Sequence, residues 1–310
     1  MSFAVAKRMQ AAVCLILLLC AHAAWADDFK VLDAYTRFAG TPFVNSAADY
    51  VAWLRQQPAF RDGKLDGLPE RAVILHNTNV RGMLNKLGYA DAEIEELSTG
   101  YTDPNLLFVV RPKAGAPFIV DRGLPGAGGV ATQAAELAAL GVKRAIHIGT
   151  AGLLGGRLPY ASPIIATGSY KDGAAFLLAS SPQDAAEQIA FADPVLSDRL
   201  DRQMTAAGIA HERALGFTSP IYYFQKIGLL KALLSFPFDH GKAPGFVEME
   251  QASFFATARL AGMTAASVVV GSDRAVRTGD TVRQEFFDGD LDRLLLLALR
   301  QAIAALDGPP

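Results

Sequence analysis

The sequence predicts an α/β domain with a mixed, largely parallel central sheet and helices on both faces. Three observations carry that expectation. From Arg71 onward, short apolar runs bounded by Gly, Pro or Asn alternate with longer stretches of helical periodicity, the pattern of a sheet whose crossovers are helices. The 310 residues are 51% hydrophobic and 19% charged, enough apolar material to fill the core of one large domain. No internal repeat, low-complexity tract or charge block interrupts residues 71–310, so this stretch is expected to form one domain.

The elements follow in chain order. Lys7 and Arg8 precede an apolar run from Ala11 to Ala21, and Ala24-Trp25-Ala26 offers small residues at both cleavage positions. Residues 1–26 are therefore expected to be a signal peptide, with an exported (periplasmic or secreted) mature chain starting near Asp27. The run is shorter than the roughly 20 apolar residues a membrane span needs. Cys14 and Cys20 both fall inside this segment, leaving the mature chain without a disulfide, a thiolate nucleophile or a cysteine metal site. Residues 27–70 form a turn-rich N-terminal elaboration, with Gly40-Thr41-Pro42, Asp62-Gly63 and Pro69 around one amphipathic helix at Ala47–Gln56.

Strands are expected at Ala72–Leu75, Leu106–Val110, Phe118–Val120, Ala145–Ile148, Ile164–Ala166 and Ala265–Val270. Helices are expected at Arg81–Leu87, Ala131–Leu140, Pro194–Ala207, Phe224–Leu234, Glu250–Ala261 and Leu291–Leu306. In such sheets ligands bind beyond the carboxyl ends of the strands. A net charge of −2 with a pI near 6.2 gives no drive toward nucleic acid or anionic lipid, so the expected partner is a small molecule held by local residues. No His/Asp/Glu cluster has metal-ligand spacing, so no metal is expected.

Three strand ends and one helix start carry polar residues. His76-Asn77-Thr78-Asn79-Val80-Arg81-Gly82 feeds a helix whose first N–H groups, with Arg81, suit an anion; it is also an ordinary βα turn. In Ile148-Gly149-Thr150-Ala151-Gly152, two glycines allow close backbone approach and Thr150 adds a hydroxyl. Glu248 and Glu250 flank Met249 just before an apolar helix. They suit either the positive end of that helix or the vicinal hydroxyls of a sugar. Asp273 follows Ser272 at the end of the apolar run Val268–Val270, where a carboxyl either caps a turn or delivers a proton.

In this order, Ile148–Gly152 (IGTAG), Ala166–Leu178 (ATGSYKDGAAFLL), Val247–Glu250 (VEME) and the pair Ser272-Asp273 resemble the nucleoside phosphorylase family. That family includes hexameric purine nucleoside phosphorylases, uridine phosphorylases and methylthioadenosine nucleosidases. The resemblance runs from about Arg71 to Ala275. It implies phosphate binding by Arg81, His147 and Thr150, and ribose binding by Met249, Glu250 and Glu248. It further implies base binding by Tyr222 and Ser272, and Asp273 as the acid that protonates N7 of a departing purine. It implies inorganic phosphate as co-substrate with no other cofactor, and a homo-oligomer, dimer or hexamer.

Two positions depart from the family pattern. Asn77-Thr78-Asn79 stands in place of a glycine-aspartate-proline turn, and His147 in place of an arginine. A histidine with an ordinary pKa near 6.5 is a part-time cation at neutral pH. Arg81 nevertheless argues for an anion, and residues 74–82 contain no carboxylate to activate water, so phosphorolysis of a purine nucleoside is the first expectation. Hydrolysis without phosphate and non-catalytic nucleoside binding stand as the alternatives.

Overall fold

The structure, a computed structural model, describes residues 37–99, 106–222, 225–236 and 242–307. The expected signal peptide and both cysteines lie outside the described residues, as does the start of the helix expected from Phe224. Among the described residues, no helix is long and apolar enough to cross a membrane.

Helix α1 (Ala47–Gln56) begins at Ser46, whose hydroxyl accepts from the Asp49 N–H while Asp49 accepts from the Ser46 N–H. This reciprocal cap satisfies two backbone donors that a helix start leaves unpaired. Val51 and Leu54 then turn inward and join Phe60, Leu65 and Leu68 in the same core cluster as the sheet. The N-terminal segment is thus packed onto the domain.

The centre of the sheet is parallel. Strand β1 (Arg71–Leu75) lies between β4 (Phe118–Arg122) and β5 (Arg144–Leu154), parallel to both. Beyond β4, strands β3 (Leu106–Val110) and β2 (Ile94–Ser98) add antiparallel. Strand β1 shows why helices cover both faces: Ala72 and Ile74 belong to one core cluster, Val73 and Leu75 to the other, as strand alternation requires. The first cluster holds residues of α3 (Ala127–Ala139) and α8 (Gln251–Leu260). The second holds α2 (Val80–Lys86), α6 (Pro194–Ala206) and α9 (Leu291–Leu306). Short helices α4 (Gly173–Leu177) and α5 (Pro182–Ala186) follow the sixth strand, and α7 (Ile227–Ser235) precedes the ninth.

On its other side the sheet closes on itself. Strand β5 is parallel to β10 (Thr264–Thr278), and β10 antiparallel to β6 (Ile164–Tyr170). From β6 the pairing runs parallel to β8 (Glu212–Thr218), parallel to β9 (Pro244–Glu248), and antiparallel back to β5. This ring of five strands gathers their ends around one space. Strand β7 (Ile189–Phe191) borders β6, and β11 (Thr281–Phe286) forms a hairpin with β10.

The mixed α/β sheet with helices on both faces is the architecture the sequence predicts. Strands β2, β7, β8, β9 and β11 were not expected, because β7 is only three residues long and each of the others mixes polar residues, Gly or Pro into a short run. Strand β10 runs on from Val270 to Thr278 because β5, as far as Ala275, and β11, from Asp273 on, pair with it there, although the side chains are no longer apolar.

Candidate active site

A cavity of about 610 Å³ lies among the ends of β5, β9 and β10, roofed by β11 and α7. Thr150, Tyr222, Glu248, Met249, Glu250, Ser272 and Asp273 all line it. Four segments far apart in the chain are thus brought to one space, and two of the sequence-derived residues, Arg81 and His147, are not.

Asp273 is 7% exposed and is positioned by register. It sits opposite Gly152 of β5 and Phe286 of β11, at an irregularity in the β5–β10 ladder between Gly271 and Asp273. Its Oδ1 accepts from Ser272 Oγ at 2.9 Å and its Oδ2 from Gln284 Nε2 at 2.6 Å. Gln284 also reaches Tyr222 Oη at 3.2 Å, linking the proposed acid to the expected base-stacking ring. Ser272 is therefore an orienting group for Asp273 as well as a wall residue.

Gly152 is what makes room for this carboxyl. A Cβ there would stand 2.9 Å from Asp273 Oδ2, and the side-chain end must yield. Gly152→Ala is expected to leave Tm within a few degrees but to lower kcat by roughly 10²-fold, since small misplacements of a reacting group have effects of that order. Thermal melts and steady-state kinetics on the same preparation check both halves.

The two glutamates divide their labour. Glu248 is 4% exposed; its Oε2 accepts from the N–H groups of Glu250 and Gln251, each at 2.6 Å. Its Oε1 accepts from Ser169 Oγ at 3.1 Å and from Thr218 Oγ1. Four donors hold it: two N–H groups at the start of α8, where the helix dipole favours an anion, and one hydroxyl each from β6 and β8. Glu248 thus touches the cavity but is committed to the fold, against the ribose role the resemblance implies for it.

Glu250 has fewer obligations. Its Oε1 accepts from the Gly126 N–H at 2.7 Å and its Oε2 from the Met249 N–H at 3.1 Å. Gly126 has φ 83° at the start of α3, a left-handed conformation that glycine adopts without steric cost. Burial, with the nearby charge of Glu248, pushes the Glu250 pKa up to about 7. Each carboxylate oxygen keeps a further lone pair for a ligand hydroxyl.

The anion end differs from the expectation. Arg81 Nε donates to Glu96 Oε1 at 2.6 Å and Nη1 to Asp91 Oδ1 at 3.1 Å, so its charge is spent outside the cavity. The turn before it is also satisfied internally: Asn77 Oδ1 accepts from the Asn79 N–H at 2.7 Å, and Asn79 Oδ1 caps the Gly82 N–H at 3.1 Å. Side-chain amides thus occupy donors that a bound anion needs.

His147 is 1% exposed. Its Nδ1 meets Ser267 Oγ at 2.9 Å, and its Nε2 has no protein partner. Burial, then the neighbouring His76, lowers its pKa well below the ordinary value. It is a neutral core residue rather than a phosphate cation.

Neither His76 nor Gln284 was among the expected site residues. His76 lines the cavity and stands edge-on to His147 with ring centroids 4.8 Å apart. Burial lowers its pKa to about 4, so it is uncharged at neutral pH. Its place at the end of β1 was the available signal. Gln284 lies on β11, whose polar pattern concealed a strand.

A mixed α/β sheet that gathers an acid-bearing strand end, a VEME turn and a glycine-rich turn around one cavity defines a protein of the nucleoside phosphorylase type. The chain belongs to the phosphorylase superfamily, whose family model matches residues 66–304. Solved structures share the fold, two of which serve as examples. Uridine phosphorylase from Vibrio fischeri ES114 is 17% identical, with TM-score 0.60, over 78% of this chain and 93% of that one. Purine nucleoside phosphorylase from Toxoplasma gondii, in complex with immucillin-H, is 16% identical, with TM-score 0.61 and the same coverage. No curated protein matches the chain.

Proposed function

We propose that the protein cleaves the N-glycosidic bond of purine nucleosides, with water as the nucleophile. The observation that carries this reading is the placement of Asp273 and Glu250 on one cavity whose Thr150 end lacks a cation among the described residues. Arg283 is the arginine on the cavity wall, and it lies on β11 and pairs with Glu285.

As the bond between C1′ and the base nitrogen lengthens, its electron pair moves onto the base and positive charge grows on the sugar. Asp273 passes its proton to N7, and the oxygen of water bonds to C1′ and releases a proton that restores the acid. Glu250 accepts hydrogen bonds from the sugar hydroxyls and Met249 packs on the ring, fixing C1′ for attack. A proton donor aimed at the leaving group acts where charge develops, which is what lowers a barrier. Uridine has no N7, so purine nucleosides are the favoured substrates.

A second reading keeps phosphate as the nucleophile, and Arg81 favours it. The Arg81 side chain is 36% exposed and its pairs with Asp91 and Glu96 are surface pairs, a kind typically contributing about 0–1 kcal/mol. In that reading the guanidinium leaves those weak pairs and turns into the cavity, which it does not line in this structure.

The assay incubates purified protein with inosine, adenosine and uridine, with and without inorganic phosphate. Purine release that changes less than about twofold with phosphate is the expected result. Strict phosphate dependence establishes the second reading, and nucleoside binding without base release makes the protein a binding protein instead.

A further inference from the structure

The cavity continues past Asp273. On β10 the residue two further along, Ala275, faces the same side and pairs with Leu154 of β5, as strand alternation demands. Across the hairpin, Phe286 pairs with Asp273 and Val282 with Arg277. From the roof, α7 contributes Ile227 and Leu230. Leu154, Ala275, Val282, Phe286, Ile227 and Leu230 thus give the cavity an apolar flank that starts level with Asp273 at Phe286 and runs away from Thr150, with Gln284, opposite Ala275, as its polar member.

Only the base of this wall, Leu154, is fully buried core. Phe286 is 71% exposed and Ile227 51% exposed, whereas the apolar residues of the two clusters beneath are buried. Apolar side chains gathered on a concave, solvent-reached wall and continuous with a ligand site mark something apolar that the ligand brings. The sugar end needs none of it, because Thr150, Glu250 and Met249 stand on the near side of Asp273. The purine explains the direction: N7 and the 6-substituent share one edge of the base. A base whose N7 meets Asp273 therefore sends its 6-substituent along that edge, toward Ala275 and Leu154.

We propose that the preferred substrates are purine nucleosides bearing an alkyl or arylalkyl substituent on the 6-amino group, with the six apolar residues named above as the specificity wall. This rests on the purine reading of the site, and specifically on the N7–Asp273 contact. Discrimination by a hydrophobic pocket runs at roughly 10–200-fold per methylene, so a benzyl or isopentenyl group has a large effect here.

The test is calorimetric titration of the full chain with free bases, which needs no turnover. 6-Benzylaminopurine is expected to bind at least about 10-fold more tightly than adenine, and Leu230→Asn or Phe286→Ser is expected to collapse that ratio. Equal affinity for the two bases overturns the proposal. So does an unchanged ratio in Leu230→Asn accompanied by a fall in sedimentation mass, which marks the wall as a contact between copies of the chain.

Cleavage of adenosine and 6-benzyladenosine is followed in parallel. A retained binding ratio with no base release sinks the cleavage reading and leaves this one standing. Release from both nucleosides at equal kcat/KM, with equal base affinity, sinks this one alone.

Discussion

Asp273→Asn is expected to reduce kcat for purine nucleosides by roughly 10²–10⁴-fold, the usual contribution of a positioned proton donor or acceptor, while leaving nucleoside affinity within a few-fold. Asparagine has almost the same shape and still accepts from Ser272 through its carbonyl oxygen. It cannot pass a proton to N7. Its NH₂ group, if turned toward Gln284 Nε2, meets a donor, so the amide oxygen of Gln284 must rotate to face it; that adjustment is local because Gln284 is exposed. A nucleoside with a leaving group that needs no protonation, such as a nitrophenyl riboside, separates chemistry from folding. The variant is expected to cleave it at nearly the parental rate. Equal losses on both substrates remove Asp273 from its acid role and make it a structural residue of the hairpin.

The order of the segments along the chain revealed more of this site than any one segment did. Asp273, Ser272 and Thr150 stand at the ends of expected strands, and the ends of strands in one sheet converge, so their common cavity was legible in the sequence; Met249, Glu250 and Tyr222 follow β9 and β8, which were not expected, and only the resemblance grouped them with the others. The direction of a side chain was not. Arg81 follows β1 as an anion ligand would, but Glu96 lies on β2, a strand hidden by its polar residues, and captures the guanidinium. His147 falls on β5 between Ile146 and Ile148, two residues of the second core cluster. It therefore faces the other side of the sheet, where Ser267 and Phe254 enclose it. The VEME segment could be read either as helix charge or as sugar ligand, and the structure divides those roles between its two glutamates. Only the packing of Ser169 and Thr218 against Glu248 decides which glutamate serves the fold.

Glu250→Gln is expected to lower kcat/KM by roughly 10²-fold or more and to remove a pH dependence that the parent enzyme shows. The carboxylate accepts two hydroxyl hydrogen bonds only when ionised, and bonds to a charged group contribute about 1.5–3 kcal/mol each. With its pKa raised to about 7, first by burial and then by Glu248, Glu250 is largely protonated at pH 6 and largely ionised at pH 8. Sugar affinity therefore rises as pH climbs through 7, and kcat/KM rises with it. Stability runs the other way. A folded-state pKa above the unfolded value means that Glu250's contribution is fully present below about pH 4.5 and lost as pH rises through about 7. The loss accumulates while only the unfolded chain has ionised this carboxyl and is complete once the folded protein ionises it too; the two hydroxyls of a bound nucleoside then offset it. In Glu250→Gln the stability loss between pH 6 and 8 should shrink and the rise in kcat/KM should flatten, with Gly126 still held through the amide oxygen. Profiles of kcat/KM and of Tm across that range, measured on both proteins, decide the matter: a parent profile without the rise, or a variant profile that keeps it, places the titrating group elsewhere.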